Sequence, residues 1–340
     1  MSRMTQTHIG YNNWQEPASN SMPQLSAVSG GGGGSKLLGI GIQQRGNQGT
    51  DAATLTVMPM DPYMPPAEQR YIDVFMREKG ALSYEITSNV GYVNVTNDVG
   101  DLSTNGGKSR TRSFIMVDWS TVPAGESKAE LTVAVTKPAN SPGAKITVPL
   151  KKPQPPADFE GHIESQGAIS IEASHFNRIE NAGGVSYASI PNYGRTHSGV
   201  KLWPVTAATQ STASGPALVY PFYSFSQAQN AKVTVYLSAS ENANWASPNK
   251  YAVSLDGGKA TEVQPVPVSS DAGSEPQGWD NAVTRNAWIK DSNLGAVSAG
   301  KHELKLWLLE PTMVVTKIVV DLGGVKASEL GPPESMMKRA

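Results

Sequence analysis

The stretch from Ser298 to Ser335, SAGKHELKLWLLEPTMVVTKIVVDLGGVKASELGPPES, constrains what this chain can fold into more than any other. In its first half Leu304, Leu306 and Leu308 alternate with Glu303, Lys305 and Trp307, the period of two that a half-buried β-strand requires. Pro311 then interrupts the run, because proline has no N–H to give a ladder and fixes its own φ. Beyond it Val314, Ile318 and Val320 share one face, and Met313, Val315 and Val319 the other. Apolar residues on both faces describe a central strand covered from both sides, ending at Asp321 and the turn Gly323–Gly324. Together the two runs read as the closing strand pair of a β-sandwich, which needs earlier strands to pack against.

Those earlier strands must be many, since 340 residues exceed one ordinary sandwich and predict two domains with connecting segments. The 33 glycines and 24 prolines fall between short alternating runs, so the class is mainly β. A net charge of −1 without a long basic run argues against nucleic acid as a partner. The absence of cysteine excludes disulfides and thiolate metal sites. No window approaches eighteen consecutive apolar residues, so no membrane-spanning helix is expected. The first residues, MSRMTQTHIGYNNW, hold no apolar core of the kind a signal peptide needs.

Residues 1–50 read as an extended linking segment. Tyr11 and Trp14 are followed by Pro17, Pro23 and the run Gly30–Gly34, a flexible linker composition without the Lys-Ser/Thr of a phosphate-binding loop. Residues 51–153 carry seven candidate strands, the count of an immunoglobulin-like sandwich: 54–58, 71–77, 82–88, 92–96, 113–119, 128–136 and 145–150. Lys79-Gly80 is expected to close the second strand onto the third, and Pro123-Ala-Gly125 to turn toward the sixth. Trp119 reads as core or core edge, and the sequon Asn94-Val-Thr96 falls inside a strand. Lys151–Pro156 is a stiff proline-rich connector. Residues 158–335 then form a second β-sandwich of jelly-roll or galactose-binding-like type, the class of many carbohydrate-binding domains. Its strands are AISIEA, 200–205, 218–225, 232–238, 251–256, 261–268 and the closing pair. Asp256-Gly257-Gly258 is a hairpin turn, and Pro221 marks an edge strand or a bulge.

Three groups of residues could carry function. Trp245, Trp279 and Trp288 lie in Asn/Ser/Gly/Pro-rich segments that read as loops. Two roles are open to them: stacking on the apolar face of a sugar ring, or plugging the open end of the sandwich. Tyr187, Tyr193 and Arg195, in SYASIPNYGRTHSG, form a second cluster in which the arginine could pair with a carboxylate of a ligand or a neighbouring domain. Glu172 and Asp321 could meet in a structural calcium site if the first and last strands are neighbours, since hard cations want clustered oxygens. The five histidines lack HxH or HxxxH spacing, and no serine sits in GxSxG.

Several stretches taken together resemble one family: THIGYNNWQEP, SIEASHF, IPNYGRTHSGV, LKLWLLEPTMVVTKIVVDLGG and LGPPES. They are similar to the C-terminal region of glycoside hydrolase family 115, the xylan α-1,2-glucuronidases, in order and over nearly the whole chain. The resemblance implies a part of an extracellular enzyme that removes glucuronic acid, or its 4-O-methyl form, from glucuronoxylan. Family members hold their catalytic carboxylates in a (β/α)₈ barrel lying N-terminal to these stretches, about 250 residues for which this chain has no room. No catalytic residue is therefore carried over, and Met1 reads as an internal methionine of a longer enzyme or as the start of a separated half. The implied roles are support of the barrel, homodimerisation, or binding of glucuronoxylan or xylo-oligosaccharides. The alternatives are a freestanding carbohydrate-binding module and a structural sandwich tandem with no ligand. Ser174 departs from the acidic residue usual after SIEA, which weakens the calcium site, and Glu329 from a usual tyrosine. LGPPES is expected to dock on the body of the protein.

Overall fold

In the long strand Gly125–Lys137, Ala129, Leu131, Val133 and Val135 are buried while Glu130, Thr132, Ala134 and Thr136 face outward. One core face and one wet face follow from that alternation. The computed structural model describes residues 37–43, 54–244, 248–269 and 274–339. Its first nine strands are β1 (Leu38–Ile42), β2 (Thr54–Thr56), β3 (Tyr71–Met76), β4 (Ala81–Ser88), β5 (Val93–Val95), β6 (Val99–Ser103), β7 (Arg110–Val117), β8 (Gly125–Lys137) and β9 (Ala144–Lys152). They form a sheet ordered β1-β3-β7-β5 and a second ordered β2-β9-β8-β4-β6. Between the two lies one apolar cluster that includes Ile72, Ile115, Leu131 and Ile146, none of them exposed.

Two expectations about this half are corrected. Strand β1, read as part of the linking segment, pairs antiparallel with β3 from Leu38↔Met76 to Ile42↔Ile72. Its outward-facing Gly39 lies under the ring of Phe75, where a Cβ would come within 2.4 Å of that ring. The turn at Lys79-Gly80 does not close a hairpin, and the one at Pro123–Gly125 leads into β8, the sixth expected strand, from the facing sheet. Each carries the chain from one sheet to the other, because β3 and β7 belong to one sheet and β4 and β8 to the opposite one.

The second sandwich is built from β10 (Gly161–Ile163), β11 (Ala168–Glu172), β12 (Arg178–Glu180), β13 (Ser186–Pro191), β14 (Ser198–Trp203), β15 (Ala217–Ser224), β16 (Ala228–Leu237), β17 (Tyr251–Leu255), β18 (Thr261–Val263), β19 (Trp288–Val297), β20 (Gly300–Leu308), β21 (Val314–Asp321) and β22 (Met337–Lys338). A short helix, α1 (Trp279–Arg285), precedes β19. One sheet runs β18-β17-β20-β15-β10-β22 with β12 also on β15; the other runs β13-β14-β21-β16-β19 with β11 also on β21. Leu304, Leu306 and Leu308 from one sheet and Val315, Ile318 and Val320 from the other meet in a single buried cluster.

The closing run therefore behaves differently from a strand pair. β20 hydrogen-bonds to β15 and β17, whereas β21 hydrogen-bonds to β11, β14 and β16. The segment around Pro311 crosses from one sheet to the other, so the two strands face each other instead of pairing. Pro221 is a second correction, because β15 is an interior strand. On its β20 side Pro221 pairs with Glu303. On the other side β12 reaches only Ala217–Val219 and β10 only Phe222–Tyr223. The missing N–H falls in the gap between those two short strands, where no donor is needed. The hairpin at Asp256-Gly257 joins β17 to β18 as its sequence predicts, with φ of 51° and 71° at those residues.

Candidate functional site

Trp279 opens α1 and is half-buried against the core. Trp288 is the first residue of β19 and is 5% exposed. Its Nε1 donates to the Ser240 carbonyl at 2.9 Å, and the two indoles stand 6.2 Å apart. The expectation that Trp288 lies in a loop, open to a sugar, is thus corrected. Its indole belongs to the buried core cluster and its only donor is already used. Trp245 lies outside the described residues. Trp203, read as part of a strand, carries the more open indole at 57% exposure.

Tyr193 and Arg195 occupy the turn between β13 and β14. The Tyr193 hydroxyl meets Ser238 Oγ at 2.7 Å, and its ring lies over Gly199. Arg195 is half-buried, and its Nη1 is buried without a hydrogen-bond partner.

The pairing of β11 with β21 separates Glu172 from Asp321. Glu172 sits opposite Lys317, and Asp321 opposite Ala168 at the other end of the ladder. Four residue steps of strand separate them, about 13 Å at the usual rise. Glu172 is buried, with Lys317 Nζ 3.2 Å from Oε1 and Thr196 Oγ1 donating to Oε2 at 2.9 Å. Asp321 accepts from the Gly323 and Val325 amides in its own turn. The shared calcium site is corrected by this geometry, and among the described residues no cluster of three metal-ligating side chains forms.

The C-terminal tail lies along the outer side of β11 and β21, as LGPPES was expected to dock. Ser335 exchanges hydrogen bonds with Ser170: its amide donates to the Ser170 carbonyl at 2.8 Å, and its Oγ accepts from the Ser170 amide at 2.9 Å. Glu334 reaches His175 Nδ1 at 2.6 Å and stands 3.5 Å from Nε2 of the fully buried His162. Burial alone raises the Glu334 carboxyl. The two imidazoles and the Glu172 amide more than offset it and bring the pKa to about 2.

A cleft of about 540 Å³ lies between the two sandwiches. Met58, Met60 and Asp61 line it from one sandwich, and Glu164, Gln166, Phe225 and Leu322 from the other. Phe225 stacks on Tyr63 at 5.5 Å. Glu164 accepts from the amides of Gly167, Phe225 and Ser226 and from the hydroxyls of Ser224 and Ser226. Asp61 accepts from Ser165 Oγ at 2.9 Å across the seam. Burial pushes its carboxyl up, more than the Ser165 and Tyr63 donors pull it down, and the Glu164 charge adds to the rise. Arg70, wholly buried, donates to Glu68 O and to Gln166 Oε1, binding the sandwiches further. Sequence reasoning misses this seam. Asp61 and Ser165 are 104 residues apart, and nothing local marks either as a partner of the other.

Residues 161–334, just over half of the chain, match the sequence profile of the Glycosyl hydrolase family 115 C-terminal domain. No curated protein matches the chain. Among solved structures, a family GH115 4-O-methyl-α-glucuronidase with specificity for decorated arabinogalactans is similar over 50% of this chain and 19% of its own, at 15% identity and a TM-score of 0.35. A family 6 carbohydrate-binding module from Clostridium cellulolyticum in complex with xylose covers 44% of this chain and 93% of its own, at 14% identity and a TM-score of 0.26. The Podospora anserina GH26-CBM35 β-(1,4)-mannanase covers 48% and 29%, at 11% identity and a TM-score of 0.28. The match thus spans about a fifth of the glucuronidase.

Proposed function

Because this chain belongs to the glycosyl hydrolase family 115 C-terminal domain family, we propose that it is the non-catalytic C-terminal portion of a xylan α-1,2-glucuronidase-like glycoside hydrolase. Its sandwiches support a catalytic barrel and hold xylan close to it, and the enzyme works outside the cell. The observation that carries the non-catalytic role is how the carboxylates of the cleft between the sandwiches are used. Glycoside hydrolysis needs two carboxyl groups flanking the scissile bond, one to protonate the leaving oxygen and one to attack or activate water. In the cleft Glu164 already accepts five hydrogen bonds, which leaves it no lone pair for a nucleophile's work. Asp61 is held by Ser165 and by the Tyr63 amide. Among the described residues the helical structure is α1 and a 3₁₀ turn at Pro66–Glu68, with no alternation of strands and helices.

The purified chain is expected to release neither glucuronic acid nor its 4-O-methyl form from glucuronoxylan. Chromatography of overnight digests checks this. Release above a heat-killed control, lost in Asp61→Asn or Glu164→Gln, would overturn the non-catalytic reading.

A further inference from the structure

We infer that the cleft between the two sandwiches is a saccharide-binding site, and that it takes the neutral main chain of a xylan-type polysaccharide and not an acidic side group. The inference rests on the carbohydrate-holding role proposed above and adds its place and its preference. A volume of about 540 Å³ lies within the range of small-ligand sites, about 300–1,000 Å³. Its lining is two-sided. Met58, Met60, Phe225 and Leu322 supply an apolar surface on which the C–H face of a pyranose can rest. Asp61 and Gln166 supply polar groups, and Gln166 Nε2 is buried with no hydrogen-bond partner among the described residues.

Charge decides which part of the polysaccharide fits. Ionising Asp61 is already disfavoured, first by burial and further by the neighbouring Glu164, whose repulsion outweighs the attraction of Arg70. A uronate carboxylate entering the same space would meet the same desolvation and the same repulsion. The lysines at the rim do not offset this. Lys151 is paired with Glu126 at 2.9 Å, and Lys152 donates to the Val122 carbonyl at 2.8 Å. A neutral pentose chain, all hydroxyl and C–H, meets neither obstacle.

Calorimetric titration of the full chain with xylotetraose, and with xylotetraose carrying one 4-O-methylglucuronic acid branch, tests the inference. Saturable binding of the linear sugar is expected, weakened at least tenfold by Met58→Trp, which fills the half-buried wall, and by Phe225→Ala. Trp203→Ala should leave it unchanged, and the branched sugar should bind no tighter than the linear one. Amide chemical shifts of Gly167, Gly323 and Gly324 in the unsubstituted protein, all at the cleft, should move on titration whether or not a variant folds. Binding that survives Met58→Trp without those shifts overturns the cleft alone, leaving carbohydrate binding in place. Tenfold tighter binding of the branched sugar overturns the preference for the neutral chain. No binding of either sugar overturns the inference and the carbohydrate-holding role together.

Discussion

Lys317→Met is expected to destabilise the second sandwich by about 3–5 kcal/mol, the cost of stranding a buried charge. At that size the melting temperature should fall on the order of 10 °C. Lys317 and Glu172 are 4% and 6% exposed along their side chains, with Nζ 3.2 Å from Oε1. Removing the ammonium leaves Glu172 buried with Thr196 Oγ1 and no cation. The same ammonium donates to the Pro332 carbonyl at 3.0 Å and to the Leu330 carbonyl at 3.4 Å, so the tail loses two of its anchors at once. The double variant Lys317→Met/Glu172→Leu separates these effects. Replacing both members of a buried pair with apolar groups is often neutral or stabilising, so the double variant should regain most of the lost stability. What it fails to regain measures the two tail carbonyls. A single variant that melts within 2 °C of the parent would show that Glu172 finds water or another partner, and the pair would not be what fixes the tail.

That pair also shows what the sequence can and cannot convey. The periodicity of β21 predicts a strand covered on both faces, and it is covered: six of its eight residues are buried. It predicts nothing about what covers it. One face meets the opposite sheet through Val315, Ile318 and Val320. On the other, Lys317 is buried beneath Leu330 and Pro332 of the tail, and a lysine in a strand ordinarily reads as solvated. Alternation likewise finds the strands of both sandwiches, yet it misplaces their partners at Lys79-Gly80 and at Pro311. Turn chemistry says that the chain reverses, not whether it returns in the same sheet or the facing one. At Asp256-Gly257 two positive φ values demand a tight two-strand turn, and there the sequence does select the partner. The tryptophans mislead for a related reason. Polar, glycine-rich surroundings made Trp288 look like part of a loop, whereas the long ladder of β16 with β19 turns that segment into an edge strand.

Glu334→Gln gives the second large effect, about 2–3 kcal/mol at neutral pH, and its pH dependence identifies the cause. An unfolded glutamate titrates near 4.5 and the folded one near 2, a difference equivalent to about 3 kcal/mol. A carboxyl group whose folded pKa lies below its unfolded value carries fewer protons in the folded state. Its contribution is complete above pH 4.5 and is lost as the pH falls toward 2. Urea unfolding of the parent and of Glu334→Gln should therefore differ most at pH 7, converge between pH 4.5 and 2, and coincide below. The contact responsible is chiefly the 2.6 Å one with His175 Nδ1, because at 3.5 Å the His162 Nε2 acts as a nearby charge or dipole more than as a hydrogen-bond donor. His162 is nonetheless wholly buried, with neither ring nitrogen otherwise bonded among the described residues, so it too depends on the tail. His162→Phe should remove that dependence and leave a smaller gap between the parent carboxylate and its amide, whereas His175→Phe should remove most of it. A gap between parent and Glu334→Gln that stays constant from pH 7 to 2 would mean that the glutamate holds the tail by shape and not by charge.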